Sequence, residues 1–300
     1  MNLSFRLGKI PVHIQPSFLV VAVLFGLSGG ELDTGLAWVA IVFVSVLLHE
    51  LGHATTGLAF GLSPRIDLHA MGGTTSWSSA VPLSTAKRIA ISVAGPGAGF
   101  VVAAVVRYAL GPGVFPPTPV GHFVYANLLF VNFYWGVLNL LPMLPLDGGN
   151  VMSQALNALT GGHGERPARI VSIVVASLAI PVALLFQNWW AGLLAASFIA
   201  TNVRGLRDVK AREHDAPMKA ALDQAYAALN AKDAGRVLAL ARPVALSSQT
   251  APVRAEALQL VAFGFLLEGR VADADAAIAA LPQGFSPHPQ LLELREKTVG

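Results

Sequence analysis

His49-Glu50-Leu51-Gly52-His53 interrupts an otherwise apolar run from Leu36 to Phe60. On a helix, positions i and i+4 differ by about 40° of rotation and one turn of rise, so His49 and His53 share a face. Two imidazoles so placed suit a tetrahedral Zn²⁺, and the Glu between them is placed to take a proton from a zinc-bound water. Two packing histidines with a chance Glu between them are the plainer reading. Here the plainer reading fares badly, because a carboxylate near the centre of a membrane helix costs at least about 2.5 kcal/mol.

The second informative stretch is Asn139-Leu140-Leu141-Pro142-Met143-Leu144-Pro145-Leu146-Asp147-Gly148-Gly149. Between Asp33 and Glu165 the acids are Glu50, Asp67 and Asp147 alone. Pro142 and Pro145 remove backbone donors and end a helix, and Gly148-Gly149 permits a turn. An unwound segment at membrane depth is tolerated only where protein or a wet cavity surrounds it. Asp147 is therefore suited to be a third ligand that leaves one metal position for water. An Asp-Gly turn at a membrane boundary is the competing reading of this stretch taken alone.

Composition supplies the setting. The 300 residues are 54% hydrophobic and 12% charged, against about 25% charged in an average soluble domain, so the surface needs lipid. Six apolar segments are legible: Ile14–Ser28, Leu36–Phe60, Ile89–Leu110, Phe123–Leu141, Ile170–Phe186 and Trp189–Val203. The first reads as a retained helix rather than a cleaved signal peptide, since no Ala-x-Ala site follows it. With six spans both termini share a side, and that side collects Arg6, Lys9, Arg65, Lys87, Arg88, Arg166, Arg169, Arg204, Arg207, Lys210 and Arg212, leaving Arg107 opposite. The bias places both termini in the cytoplasm, in a multi-pass protein of the cell membrane. If Leu36 is at the external face, His49 lies about 20 Å in, and the fourth span brings Asp147 to the same cytoplasmic end.

Ser4–His13 and Arg65–Trp77 read as cytoplasmic-side strands, and Gly111–Pro119 as an external loop. The expected architecture is an α-helical membrane protein of about six spans with short β-strands, over residues 1–212. A small all-α domain follows over 213–300. There, Ala225–Leu229 recurs 37 positions on as Ala262–Leu266, each copy leading into an Ala/Leu-rich helix. A tetratricopeptide-like repeat and a plain helical hairpin domain are both compatible with it. The chain has no cysteine, which removes disulfides and thiolate chemistry, and no basic patch of a nucleic-acid-binding kind.

The paired motifs resemble the site-2 protease family of intramembrane metalloproteases. Asn139, Pro142, Asp147 and Gly148 match its N-x-x-P-x-x-x-x-D-G motif after H-E-x-x-H in an earlier span, and Gly72-Gly73 and Gly95-Pro96 are similar to family features. The resemblance covers about residues 1–205. It implies one Zn²⁺ per chain bound by His49, His53 and Asp147, with Glu50 as catalytic base. It also implies Asn139 near the substrate backbone, and a transmembrane protein as substrate in regulated intramembrane proteolysis. Gly72 and Gly73 lie in the stretch that would offer an edge strand to an unwound substrate. The tail stands where other members carry a different regulatory domain, and a protein partner is expected for it.

Two rivals remain at this stage. A catalytically silent membrane scaffold recruiting partners through its tail would not need a buried base. A zinc transporter would need polar residues across several spans, and spans three, five and six offer almost none.

Overall fold

The structure is a computed structural model that describes residues 3–27, 31–78 and 82–299. The chain divides into two compact units, Met1–Val203 and Arg204–Gly300, with the division inside one long helix.

The first unit opens with two hairpins rather than two single strands. β1 (Leu3–Leu7) and β2 (Ile10–Ile14) turn at Gly8-Lys9, and β3 (Pro64–His69) and β4 (Gly72–Trp77) turn at Ala70-Met71. They form one sheet in the order β1-β2-β3-β4, with β2 and β3 parallel. The alternation of β2 and β3 divides its faces. Val12, Ile66 and Leu68 are fully buried on the inner face, with Gly73 and Thr75 in register beside Leu68 and Ile66. The outer face carries Arg6 opposite Pro11 and Arg65 opposite Ser76.

The helices of this unit are α1 (Pro16–Leu27), α2 (Leu32–Ala59), α3 (Thr85–Ala104, continued by a π-turn Val105–Leu110), α4 (Pro119–Leu129), α5 (Trp135–Asn139), α6 (Asp147–Leu159), α7 (Glu165–Leu185) and α8 (Trp189–Asp215). α2, α3 with its extension, and α7 are long and apolar enough to cross a membrane; α1 is a shorter apolar helix, and Ser28 of the first apolar segment lies outside the described residues. Their outward faces are large and apolar, as with Val20 and Leu24 on α1 and Val174, Leu178 and Val182 on α7. Such area needs lipid.

α2 is the pivot, packing against α1, α3, α4 and both β3 and β4. α4 reaches α5 through a π-turn, Phe130–Tyr134, and the turn holds Asn132. Its side chain donates to Ser45 Oγ on α2 at 2.9 Å and to the Leu128 carbonyl, and both polar residues are buried. An interhelical hydrogen bond of this kind holds helices together where lipid provides no hydrophobic drive.

The proline-rich segment differs from its expected form in one respect. The backbone is irregular from Leu140 to Leu146, and Asp147 is not within it but opens α6. Polar atoms of the irregular stretch are met by side chains from neighbouring helices, as membrane depth demands. Ser172 Oγ of α7 accepts from the Leu144 amide at 2.8 Å, and Asn202 Nδ2 of α8 donates to the Leu144 carbonyl at 2.7 Å. Met143 is buried with Ala176 and Phe198.

The second unit is all helical. It comprises the end of α8, then α9 (Met218–Asn230), α10 (Ala234–Ser247), α11 (Ala251–Leu267), α12 (Val271–Ala279) and α13 (Pro289–Val299). The interval of 37 seen in the sequence extends through the turns: Lys232 and Gly269 both have positive φ, and Asp233 and Arg270 both start the following helix. Ala225 and Ala262, at matching positions, are both fully buried.

Asp215 fastens this unit. It is 3% exposed and accepts hydrogen bonds from the Gln249 and Thr250 amides, the Thr250 hydroxyl and His214 Nδ1, at the N-terminus of α11. Burial opposes its charge, but these donors outweigh burial and hold its pKa well below the usual carboxylate range. A depressed pKa contributes stability that is present above about pH 4 and is lost as pH falls through the lowered value. Asp215→Asn should cost about 1–3 kcal/mol at neutral pH. Hydrogen exchange at the Gln249 and Thr250 amides should rise by about tenfold or more; unchanged exchange would show that the carboxylate holds nothing.

Candidate metal centre

α2 carries His49, Glu50 and His53, α6 brings Asp147, and α3 packs against both helices. The three expected ligands meet. Asp147 Oδ2 lies 3.1 Å from His49 Nε2, and Asp147 Oδ1 lies 3.3 Å from His53 Nε2. The two Nε2 atoms are 3.2 Å apart.

The proton on one ring can be placed by elimination. His53 Nδ1 is 2.7 Å from the Ile91 carbonyl, which can only accept, so Nδ1 carries a proton. Nε2 of a neutral His53 therefore points a lone pair at a second imidazole and a carboxylate. A proton on His49 Nε2 or a metal ion can bridge these atoms. A tetrahedral ion with bonds of about 2.0–2.1 Å sets its ligand atoms about 3.3 Å apart, which the observed spacings approach. The residues fit a metal, and the bond to Ile91 is of the outer kind that would fix the ring of a ligand.

Glu50 is a second carboxylate beside the pair, since His49, Glu50 and His53 each offer a ligand atom within 4.8 Å of the others. Its surroundings differ from those of Asp147. Glu50 is buried, and its Oε2 accepts from the Thr75 hydroxyl at 2.7 Å. Asp147 touches both imidazoles, whereas Glu50 is turned toward β4. A Cβ at Gly73 would overlap the Glu50 side chain, so β4 reaches the carboxylate only with glycine there. Gly72 has φ 118° and makes the hairpin turn possible.

Asn139 ends α5, half-buried, at the start of the irregular stretch; among the described residues no hydrogen bond joins it to the histidines. Sequence reading missed Thr75, Ser172 and Asn202. The last two are isolated polar residues in apolar segments, and the cost of burying them was the available signal. Thr75 falls on Gly73's face by strand alternation, but nothing in the sequence pairs that face with Glu50.

Gly95 of α3 closes the site from the other side. A Cβ there would overlap His53 Nε2 and come within 2.8 Å of His49 Nε2, while one at Gly97 meets nothing within 4 Å. Gly95→Ala should therefore lower metal content of the purified protein by about tenfold or more, the size of effect that outer-contact changes produce. Gly97→Ala should leave metal content unchanged. Full metal content in Gly95→Ala would mean that the imidazoles move aside freely.

Known proteins resemble this chain on several grounds. Residues 118–183, a stretch containing Asn139, Pro142, Asp147 and Gly148, match the model of Peptidase family M50. A zinc metalloprotease of Methanocaldococcus jannaschii is 30% identical over 207 residues, covering 66% of this chain and 57% of that protein. A Synechocystis sp. protein with a provisional zinc-metalloprotease name is 28% identical over 241 residues, covering 71% and 62%. The chain thus spans about three fifths of the length of these relatives. The solved structure of a site-2 protease from Methanocaldococcus jannaschii superposes with a TM-score of 0.51 at 22% identity, over 69% of this chain and 95% of that one, a likeness of fold. These likenesses converge on the family that the two sequence motifs resemble, the site-2 proteases of peptidase family M50.

Proposed function

We propose that this membrane protein is a zinc-dependent endopeptidase that hydrolyses peptide bonds in or near the transmembrane segments of other proteins. The observation that carries the reading is the mutual approach of His49, His53 and Asp147 beside a separately held Glu50. His49 Nε2, His53 Nε2 and the Asp147 carboxylate would hold the zinc, one ion per chain. Bound there, zinc supplies polarisation of a carbonyl and a lowered pKa for a coordinated water. Glu50 takes the proton of the attacking water and returns it to the leaving amine. The Thr75 hydroxyl occupies Oε2 and so sets which Glu50 oxygen remains for the proton. A substrate helix must unwind before its carbonyls are accessible. β4 is the edge strand beyond β3, and an unwound segment paired along Gly72–Trp77 would pass Glu50. In this reading Gly72, Gly73 and Asn139 contact the substrate backbone.

Six spans and cytoplasmic termini complete the proposal, in the plasma membrane. α1 provides the first span, α4 and α5 cross as one path through the π-turn, and the apolar start of α8 forms the last span. The tail, from residue 213, recruits or regulates through a tetratricopeptide-like surface for a protein partner.

Assays on a model transmembrane peptide divide these roles. Glu50→Gln should retain zinc and lose cleavage by at least about 10²-fold. Alanine at His49, His53 or Asp147 should remove zinc as well, and Thr75→Val should slow cleavage about 10- to 100-fold with zinc retained. Truncation after Arg212 should leave this peptide's cleavage largely intact. Undiminished cleavage by Glu50→Gln would refute the assignment and favour another base.

Topology is open to a separate measurement. A reporter fused at Gly113 should read external, and one after Arg212 cytoplasmic. A cytoplasmic signal at Gly113 would break the six-span arrangement.

A further inference from the structure

A cavity of about 580 Å³ lies at the end of the sheet, where the β1–β2 turn, the C-terminal end of α2 and the first residues of β3 meet. Arg6, Lys9 and Arg65 line it together with Ser63, Ser76 and Trp77, and no carboxylate does. The register explains the gathering: Arg6 pairs with Pro11, and Arg65 with Ser76, on the outward face, while Lys9 sits in the turn between β1 and β2. Arg65 donates to Asp67 through Nε at 2.8 Å, which leaves its two terminal nitrogens without a partner among the described residues. Arg6 and Lys9 have no ion pair there either. Asp67 offsets one of the three charges, and an anion in the cavity would offset the other two.

We propose that this cavity binds a phosphate group, presented by the headgroup of an anionic phospholipid. Guanidinium forks and serine hydroxyls match the acceptor oxygens of a phosphate. The rim separates a lipid from a free ion. α2 has 28 residues and so measures about 42 Å, longer than the hydrocarbon core of about 30 Å. Its last turn therefore emerges at headgroup depth. There Leu58 is 37% exposed and Trp77 41%, the apolar and aromatic lining found at membrane interfaces. A soluble anion has no use for that rim, whereas a lipid glycerol and upper acyl chain do. The inference uses the membrane placement of α2 and is independent of the proteolytic chemistry.

Native mass spectrometry of the full-length, zinc-loaded protein in neutral detergent tests it without an activity readout. The probes are phosphatidylglycerol, phosphatidylcholine, inorganic phosphate and a hexaglutamate peptide. Phosphatidylglycerol should bind at least about tenfold more tightly than phosphatidylcholine, and Arg6→Glu with Lys9→Glu should remove that preference. Both residues are exposed, and retained zinc content checks the fold; if the double variant loses zinc, Arg6→Gln alone should still weaken phosphatidylglycerol binding. Equal binding of the two lipids, or a preference that survives both substitutions, overturns the proposal. Inorganic phosphate binding as tightly as phosphatidylglycerol overturns the lipid source in favour of a free anion. Hexaglutamate binding in its place would assign the cavity to an acidic protein segment instead.

Discussion

His49 Nε2 and His53 Nε2 stand 3.2 Å apart, with Asp147 Oδ2 3.1 Å from the first and Asp147 Oδ1 3.3 Å from the second, a cluster that a bridging proton or a metal ion holds together. The first unit is organised to maintain that approach. His49 and His53 come from one face of α2, so their spacing follows from helix geometry alone. Asp147 comes from 94 residues beyond His53 and needs a helix start at the right depth. The irregular stretch Leu140–Leu146 delivers it, and that stretch exists inside an apolar protein because Ser172 and Asn202 bond to the Leu144 backbone. A Cβ at Gly148 or Gly149 would overlap backbone of the same stretch, so the two glycines let α6 start directly beneath it. The motif that looks like a ligand followed by a turn is thus a carboxylate followed by the packing surface for its own approach path.

The two carboxylates differ because their neighbours differ. Asp147 lies against both imidazoles, whereas Glu50 is buried under β4 with a hydroxyl on one oxygen. Either could ligate a metal as far as residue chemistry goes, and Glu50 is adjacent in sequence to His49. What separates them is the sheet, which covers Glu50 from one side and leaves room for it only because position 73 lacks a side chain. The β3–β4 hairpin therefore bears directly on the site.

The legible part of this molecule was the part governed by local rules or by extreme cost. The helical spacing of His49 and His53, the acids in an apolar setting, the β-character of 4–13 and 65–77 and the 37-residue interval in the tail all follow from periodicity or from desolvation. What stayed hidden were pairings between distant segments: Thr75 with Glu50, Asn132 with Ser45, Asn202 with Leu144. Each is an ordinary polar residue whose meaning depends on which element lies opposite. Asp215 was hidden for the same reason, since a carboxylate near the end of a basic helix reads as solvated until the α11 terminus closes over it.

The sheet has a further consequence for how the unit divides its tasks. Its inner face is apolar except where Thr75 meets Glu50, and its outer face carries Arg6 and Arg65. Strand alternation makes these assignments interdependent: a one-residue slip of β4 against β3 would turn Thr75 and Gly73 outward and present Thr74 and Ser76 to Glu50. Glu50 opposes such a slip, because it would bring a residue with a Cβ to the place that only Gly73 fits. The register that fixes the neighbour of the Glu50 carboxylate is therefore enforced by the fit of Gly73 against it. The same register gathers the outer cations into one row. Chemistry on one face and charge on the other are set by a single packing choice.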